Sequence, residues 1–169
     1  MNAVSSRGLM RVNWSATILF ALGFWLSGSL VVDSVIIPSL LATGMMTESG
    51  FASASYLMFG IFNHIELLCG ALVLTGCFVL RRNHQLPVQK EQWSIILSAL
   101  LLTIAIIYTY ILTPQMSSLG LQLNWFEPNT TMPVEMVQMH GGYWFLEALK
   151  FFAGASLLRW FYRKSCDLV

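Results

Sequence analysis

The chain has 169 residues, of which 56% are hydrophobic and only 10% charged, with a net charge of +1. Soluble globular domains carry charge on roughly a quarter of their residues, so the composition argues against a soluble enzyme and for a domain that lives in lipid. The near-neutral balance gives no reason to expect a nucleic-acid partner.

Four apolar stretches are long enough to cross a bilayer, which takes about 20 helical residues. They are 14–41, 51–80, 93–113 and 140–160, with an outer loop at 114–139. The expected fold is a single all-α domain, a polytopic membrane four-helix bundle.

The first stretch comes after Arg7 and Arg11. It is far longer than the ~7–15 apolar residues of a cleaved signal and holds Asp33, so it reads as a retained anchor. Ser29 stands one turn before Asp33, Gly23 and Ser27 have the spacing that permits close helix approach, and the helix is expected to close near Pro38. In the connection 42–50, Thr47, Glu48 and Ser49 are available to cap the next helix.

On the second stretch Asn63, Glu66, Cys69, Gly70 and Cys77 share one face. His64 points about 200° from Glu66 and shares its side with Leu57, Gly60, Ile61, Leu67, Leu68 and Ala71, a surface for lipid, another subunit or a flat cofactor. The third stretch is expected to end at Pro114. In the long connection after it, 119–126 is apolar and suits the membrane interface. Asn129-Thr130-Thr131 matches a glycosylation sequon. The fourth carries His140, Tyr143, Trp144, Glu147, Lys150, Phe151 and Gly154 on one stripe.

Basic residues orient the bundle. Arg81, Arg82 and Lys90 lie between the second and third stretches, and Arg159, Arg163 and Lys164 close the fourth. The connections 42–50 and 114–139 contain neither Lys nor Arg. Both termini and the middle loop are therefore expected in the cytoplasm, at a bacterial inner membrane or an internal membrane. The two halves also resemble each other: Trp14-Ser15 and Trp93-Ser94 open them, Pro38 and Pro114 close their first helices, and Glu66 and Glu147 sit midway along the partner helices. A duplicated two-helix hairpin would account for this.

A charge at the centre of a spanning helix costs at least about 2.5–3.5 kcal/mol, so Asp33, His64, Glu66, His140, Glu147 and Lys150 each ask for an explanation. Counting about 1.5 Å per residue from the basic ends sets these groups in the outer half of the bundle. Glu147 and Lys150, three residues apart, can pair. Glu66 and Glu147 are expected to face one another, with Lys150 one turn towards the cytoplasm and Asp33 above. Asp33, Asn63, Glu66, Tyr143, Glu147 and Lys150 thus outline a proton or ligand pocket. The plain alternatives are an internal ion pair at Glu147 and Lys150 and interfacial solvation of Asp33 and His140.

His64 and His140 are the candidate ligands for a haem or other tetrapyrrole, and His with carboxylates also suits a transition metal, although the di-iron Glu-x-x-His spacing is missing. Cys69 and Cys77, about 12 Å apart along one helix, are too distant to bridge. No hydrolase, nucleotide-binding or redox motif occurs, and no catalytic residue is assigned.

The first hairpin, with Trp25, Gly28, Asp33 and Pro38 before a short turn, resembles the small four-helix membrane proteins related to a human cisplatin-resistance transmembrane protein. Pro114 closing the third span and His140 opening the fourth also fit that pattern, whereas Glu147 and Lys150 have no place in it. The resemblance implies the topology and no chemistry. The expected role is a non-catalytic binding or assembly factor for a membrane complex or cofactor. The alternatives are transport of a small solute, metal or proton, and a haem-binding redox protein.

Overall fold

The computed structural model describes residues 12–45, 50–83, 88–126 and 134–166, and every regular element among them is helical. Helix α1 (Trp14–Val31) begins where Asn13 Oδ1 accepts from the Ala16 N–H, 3.2 Å away. It passes through a π turn (Val32–Ile36) into α2 (Ile37–Ala42). Helix α3 is Phe51–Arg82. Helix α4 (Val88–Ile107) passes through a second π turn (Tyr108–Leu112) into α5 (Thr113–Phe126), and α6 is Val134–Cys166.

Pro114 does not end its helix as expected, whereas Pro38 stands near the end of its own, at Ala42, close to the expected 41. Proline lacks the N–H that an α-helix needs, and its ring crowds the carbonyl four residues back. In each case the residue just before proline bonds five residues back instead, Ile37 N–H to Val32 O and Thr113 N–H to Tyr108 O. The wider turn absorbs the clash, and the helix continues.

The loop expected at 114–139 is accordingly helical at both ends. Helix α5 carries the third helix on to Phe126, and α6 starts at Val134, six residues before His140. The sequon at Asn129 and the capping residues Thr47, Glu48 and Ser49 lie outside the described residues. Helix α3 begins instead after Gly50, which takes the left-handed conformation (φ 91°) that glycine adopts without steric cost.

Helix α1 packs on α3 and α6, and α4 packs on the same two, so the long helices close a four-membered ring. Neighbours run antiparallel: Ile18 meets Gly76 and Phe62 meets Gly28 across α1 and α3, and Gly70 meets Leu102 across α3 and α4. The close approaches use Gly28, Gly70, Gly76 and Gly154. Gly23 and Ser27 do not serve that purpose. Among the described residues no atom of another helix lies within 4 Å of where a Gly23 Cβ would be, and the Ser27 hydroxyl turns back onto Gly23 O at 2.6 Å.

At Gly76 an added Cβ would lie 2.7 Å from Ile18 Cγ1. Gly76→Ala is therefore expected to destabilise the bundle by about 1–3 kcal/mol, read as a lower unfolding midpoint in detergent. Unchanged stability would mean that α1 and α3 can separate at no cost.

Among the described residues three helices are long and apolar enough to cross a membrane: Trp14–Leu40, Ser53–Arg82 and Gln89–Gly120. The distribution of side chains is inverted relative to a protein folded in water. Phe20, Leu68 and Phe152 are 77%, 72% and 72% exposed, while Lys150 and Glu66 are each 1% exposed. A continuous apolar surface with buried charges is the signature of a helical membrane protein. The core beneath is mixed. Ile18, Leu22, Trp25, Val73, Leu101, Leu157 and Phe161 fill the half towards Arg81 and Arg163, and Ile104, Tyr108 and Leu112 lead to the other end.

Candidate functional site

Lys150 occupies the middle of α6, about 24 Å from either end of that helix. Its Nζ lies 2.8 Å from Glu66 Oε1 and 2.6 Å from Glu147 Oε1. One ammonium thus joins two carboxyl groups from opposed sides of the ring, α3 and α6. The aromatic faces of Tyr108 and Phe151 stand 5.4 and 5.9 Å from Nζ, a placement that favours a desolvated cation.

Each carboxyl is held by hydroxyl donors from other helices. Ser29 Oγ donates to Glu66 Oε1 at 3.1 Å, and Tyr108 donates to Glu147 Oε2 at 2.8 Å. One turn towards the Val134 end, Tyr143 donates to Asp33 Oδ1 at 2.6 Å. The Asp33 carboxyl also neighbours that of Glu147. The rings of Tyr108 and Tyr143 stack with centroids 5.3 Å apart. All four long helical segments contribute.

The π turns help to place these groups. Asp33 is the second residue of the first π turn and Tyr108 the first residue of the second. A π turn inserts one residue and rotates the rest of the helix relative to a regular path, which is why such turns recur at functional sites. The two prolines therefore bear on the site as well as on the helix paths.

Hydrogen-bond donors do not reach every carboxyl oxygen of the cluster. Asp33 Oδ2, Glu66 Oε2 and Glu147 Oε1 are buried without a hydrogen-bond donor, although Glu147 Oε1 keeps its ion contact with Lys150. Trp25 Nε1, a donor, is likewise buried and unmatched. Unpaired buried polar atoms are costly and uncommon.

Of the residues expected in one pocket, Asp33, Glu66, Tyr143, Glu147 and Lys150 come together. Asn63 shares the buried face of Glu66, but donates to Thr113 Oγ1 at 2.7 Å and ties α3 to the start of α5. Neither histidine has a contact with the cluster. His64 is exposed on the outer side of α3 and half-buried His140 lies near the start of α6, each using Nδ1 on the carbonyl one turn earlier, Gly60 O (2.7 Å) and Met136 O (2.8 Å). Among the described residues no group of three or more His, Cys, Asp or Glu side chains is arranged to hold a metal ion. Cys69, Cys77 and Cys166 are free thiols.

Sequence reasoning misses Tyr108 as a member of the site, and gives Ser29 no place in the pocket although it donates to Glu66. An aromatic residue near the end of an apolar stretch reads as an interfacial anchor, and the π turn that swings it inward has no signature except the proline six residues on.

Glu66 and Lys150 lie near the midpoints of α3 and α6, and Asp33 lies nearer the Ala42 end of its helix. No family model, curated protein or solved structure matches the chain.

Proposed function

We propose that the chain is a four-span membrane protein whose Lys150 cluster binds and releases protons within the bilayer. The fourth span is α6. Its charges keep it from being apolar throughout, but Glu147 and Lys150 satisfy one another inside the ring. The observation that carries the reading is the charge balance. Asp33, Glu66 and Glu147 are buried against the single ammonium of Lys150, with Asp33 Oδ2 and Glu66 Oε2 lacking a donor. Burying two uncompensated negative charges is prohibitive in a low-dielectric interior. A neutral cluster carries two added protons, and a site built this way can exchange them.

Infrared difference spectroscopy of protein reconstituted in lipid tests this. A protonated-carboxyl band that shifts in D2O and changes with pH is expected, and Glu66→Gln and Glu147→Gln should each remove part of it. A spectrum with no titrating carboxyl would end the proposal.

The topology is a separate proposal, supported by the absence of Lys and Arg from 42–50 and 114–139. Reporter fusions after Arg82 and after Val169 are expected to report the cytoplasm, and one near Asn129 the opposite side. A cytoplasmic signal at Asn129 overturns the assignment.

A second reading concerns binding in the membrane rather than proton exchange. It is favoured by the exposed imidazole of His64, which stands among exposed Leu57, Ile61 and Leu68 with its Nδ1 already committed. Nε2 then faces outward, an arrangement suited to a haem-like ligand or a partner subunit. Purified protein with a visible absorption band that His64→Ala abolishes would support it; colourless protein would remove the tetrapyrrole.

A further inference from the structure

We infer that the Lys150 cluster exchanges protons with one side of the bundle only, the end remote from Arg81 and Arg163, and that Asp33 is the portal carboxyl. The inference rests on the proton-binding reading and adds direction to it. Burial within the cluster is graded along the helix axis. Lys150 and Glu66 are 1% exposed and Glu147 2%, whereas Asp33 is 8% exposed and Tyr143, one turn further along α6, is half-buried. His140 lies a further turn towards the same end and is half-buried too. The Asp33 carboxyl both neighbours Glu147 and carries the unpartnered Oδ2.

The opposite direction is closed. Val73, Leu101, Ala105, Ala153 and Leu157 are buried below the cluster. Among the described residues the buried polar groups on that side are Ser15, Ser94, Ser98, Cys77, the Trp25 indole N–H and Glu91 at the start of α4, the last with an unpartnered Oε1, and they are separated from one another by apolar packing. The Ser94 and Ser98 hydroxyls are committed to backbone carbonyls of their own helix, Glu91 O at 2.9 Å and Ile95 O at 3.0 Å. From Ser98 to Tyr108 the helix rises about 15 Å past Leu101, Ile104 and Ala105, too far for a direct transfer. The titratable groups around the cluster are thus Asp33, Glu66, Tyr108, Tyr143, Glu147 and Lys150, with Cys69 beside Glu66. In the transfer, an O–H bond of a hydronium ion at the open end breaks, leaving water, and the proton passes to the Asp33 carboxyl, whose buried Oδ2 is free to hold it. The Asp33 O–H bond then breaks as another forms on the Glu147 carboxyl, and no electron donor or acceptor is required.

The test uses the full chain in phosphatidylcholine–phosphatidylglycerol vesicles, prepared in the two opposite orientations. Exposed Cys166 marks the Arg163 end, and labelling it with a membrane-impermeant maleimide identifies each preparation. An acid step applied outside should produce the carboxyl band promptly when the Asp33 end faces out. With Cys166 outside, the band should appear only as the gradient across the vesicle decays. Asp33→Asn should lose the prompt response, and Tyr143→Phe should slow it. Prompt responses from both orientations, or from the Cys166 side first, would overturn the one-sided assignment without reference to any variant. A folded Asp33→Asn protein that still responds promptly would remove Asp33 as the portal. No carboxyl band in either orientation would instead strike down the proton-binding reading, and this inference with it.

Discussion

Replacing Lys150 with methionine is expected to be among the most destabilising single substitutions in the chain. The side chain is 1% exposed and its ammonium lies within 2.8 Å of Glu66 and 2.6 Å of Glu147. Methionine fills a similar volume, so the change removes charge without opening a large cavity. Glu66, Glu147 and Asp33 would then share a buried site with no cation. Removing one partner of a buried ion pair typically costs about 3–5 kcal/mol, and here one ammonium serves two partners. Unfolding in detergent at neutral pH should show a loss of that order. The deficit should narrow in acid, where protons neutralise the carboxyl groups that the ammonium leaves behind. Lys150→Arg, which keeps the charge in a bulkier planar form, should lie between the two. A Lys150→Met protein as stable as the parent at neutral pH would mean that the acids are neutral without the lysine.

The helices are legible in the sequence because the property that makes them, long apolar runs, is local. So is the buried face of α3, since Asn63, Glu66, Gly70 and Cys77 recur at helical spacing and are all buried. Two kinds of feature are not legible. The path of the chain through Pro38 and Pro114 depends on a π turn, which changes one hydrogen bond and leaves the composition unaltered. Partner choice depends on which helices become neighbours. Ser29 meets Glu66 and Tyr143 meets Asp33 across contacts that no periodicity on one helix can reveal. The small-residue spacing shows the same limit. Gly23 and Ser27 have the pattern of a packing motif, yet it is Gly76 and Gly154 that seat Ile18 and Leu26. Spacing shows that a face is smooth; only the ring order of the helices decides whether another helix lies on it.

The second large effect is expected from removing both acidic partners of Lys150 together. Sequence spacing pairs Lys150 with Glu147 alone, three residues away on the same helix, which makes Glu147→Gln the costly change and Glu66→Gln nearly silent. The structure divides the ammonium between the two. Either single substitution therefore leaves Lys150 one carboxylate, and the introduced amide can still accept from Ser29 or Tyr108. Each single variant should lose about 1–3 kcal/mol, the range for weakening a buried hydrogen-bonded group. The double variant leaves the ammonium buried without either of these partners, and the loss should exceed the sum of the singles. Contacting residues in one network couple by about 0.5–3 kcal/mol, and the upper part of that range is expected because the stranded group is a full charge. Chemical or thermal unfolding of all four proteins in the same detergent closes the cycle. If the two single losses simply add, Lys150 does not depend on the pair jointly, and the bridge between α3 and α6 is not what holds the charge in the membrane.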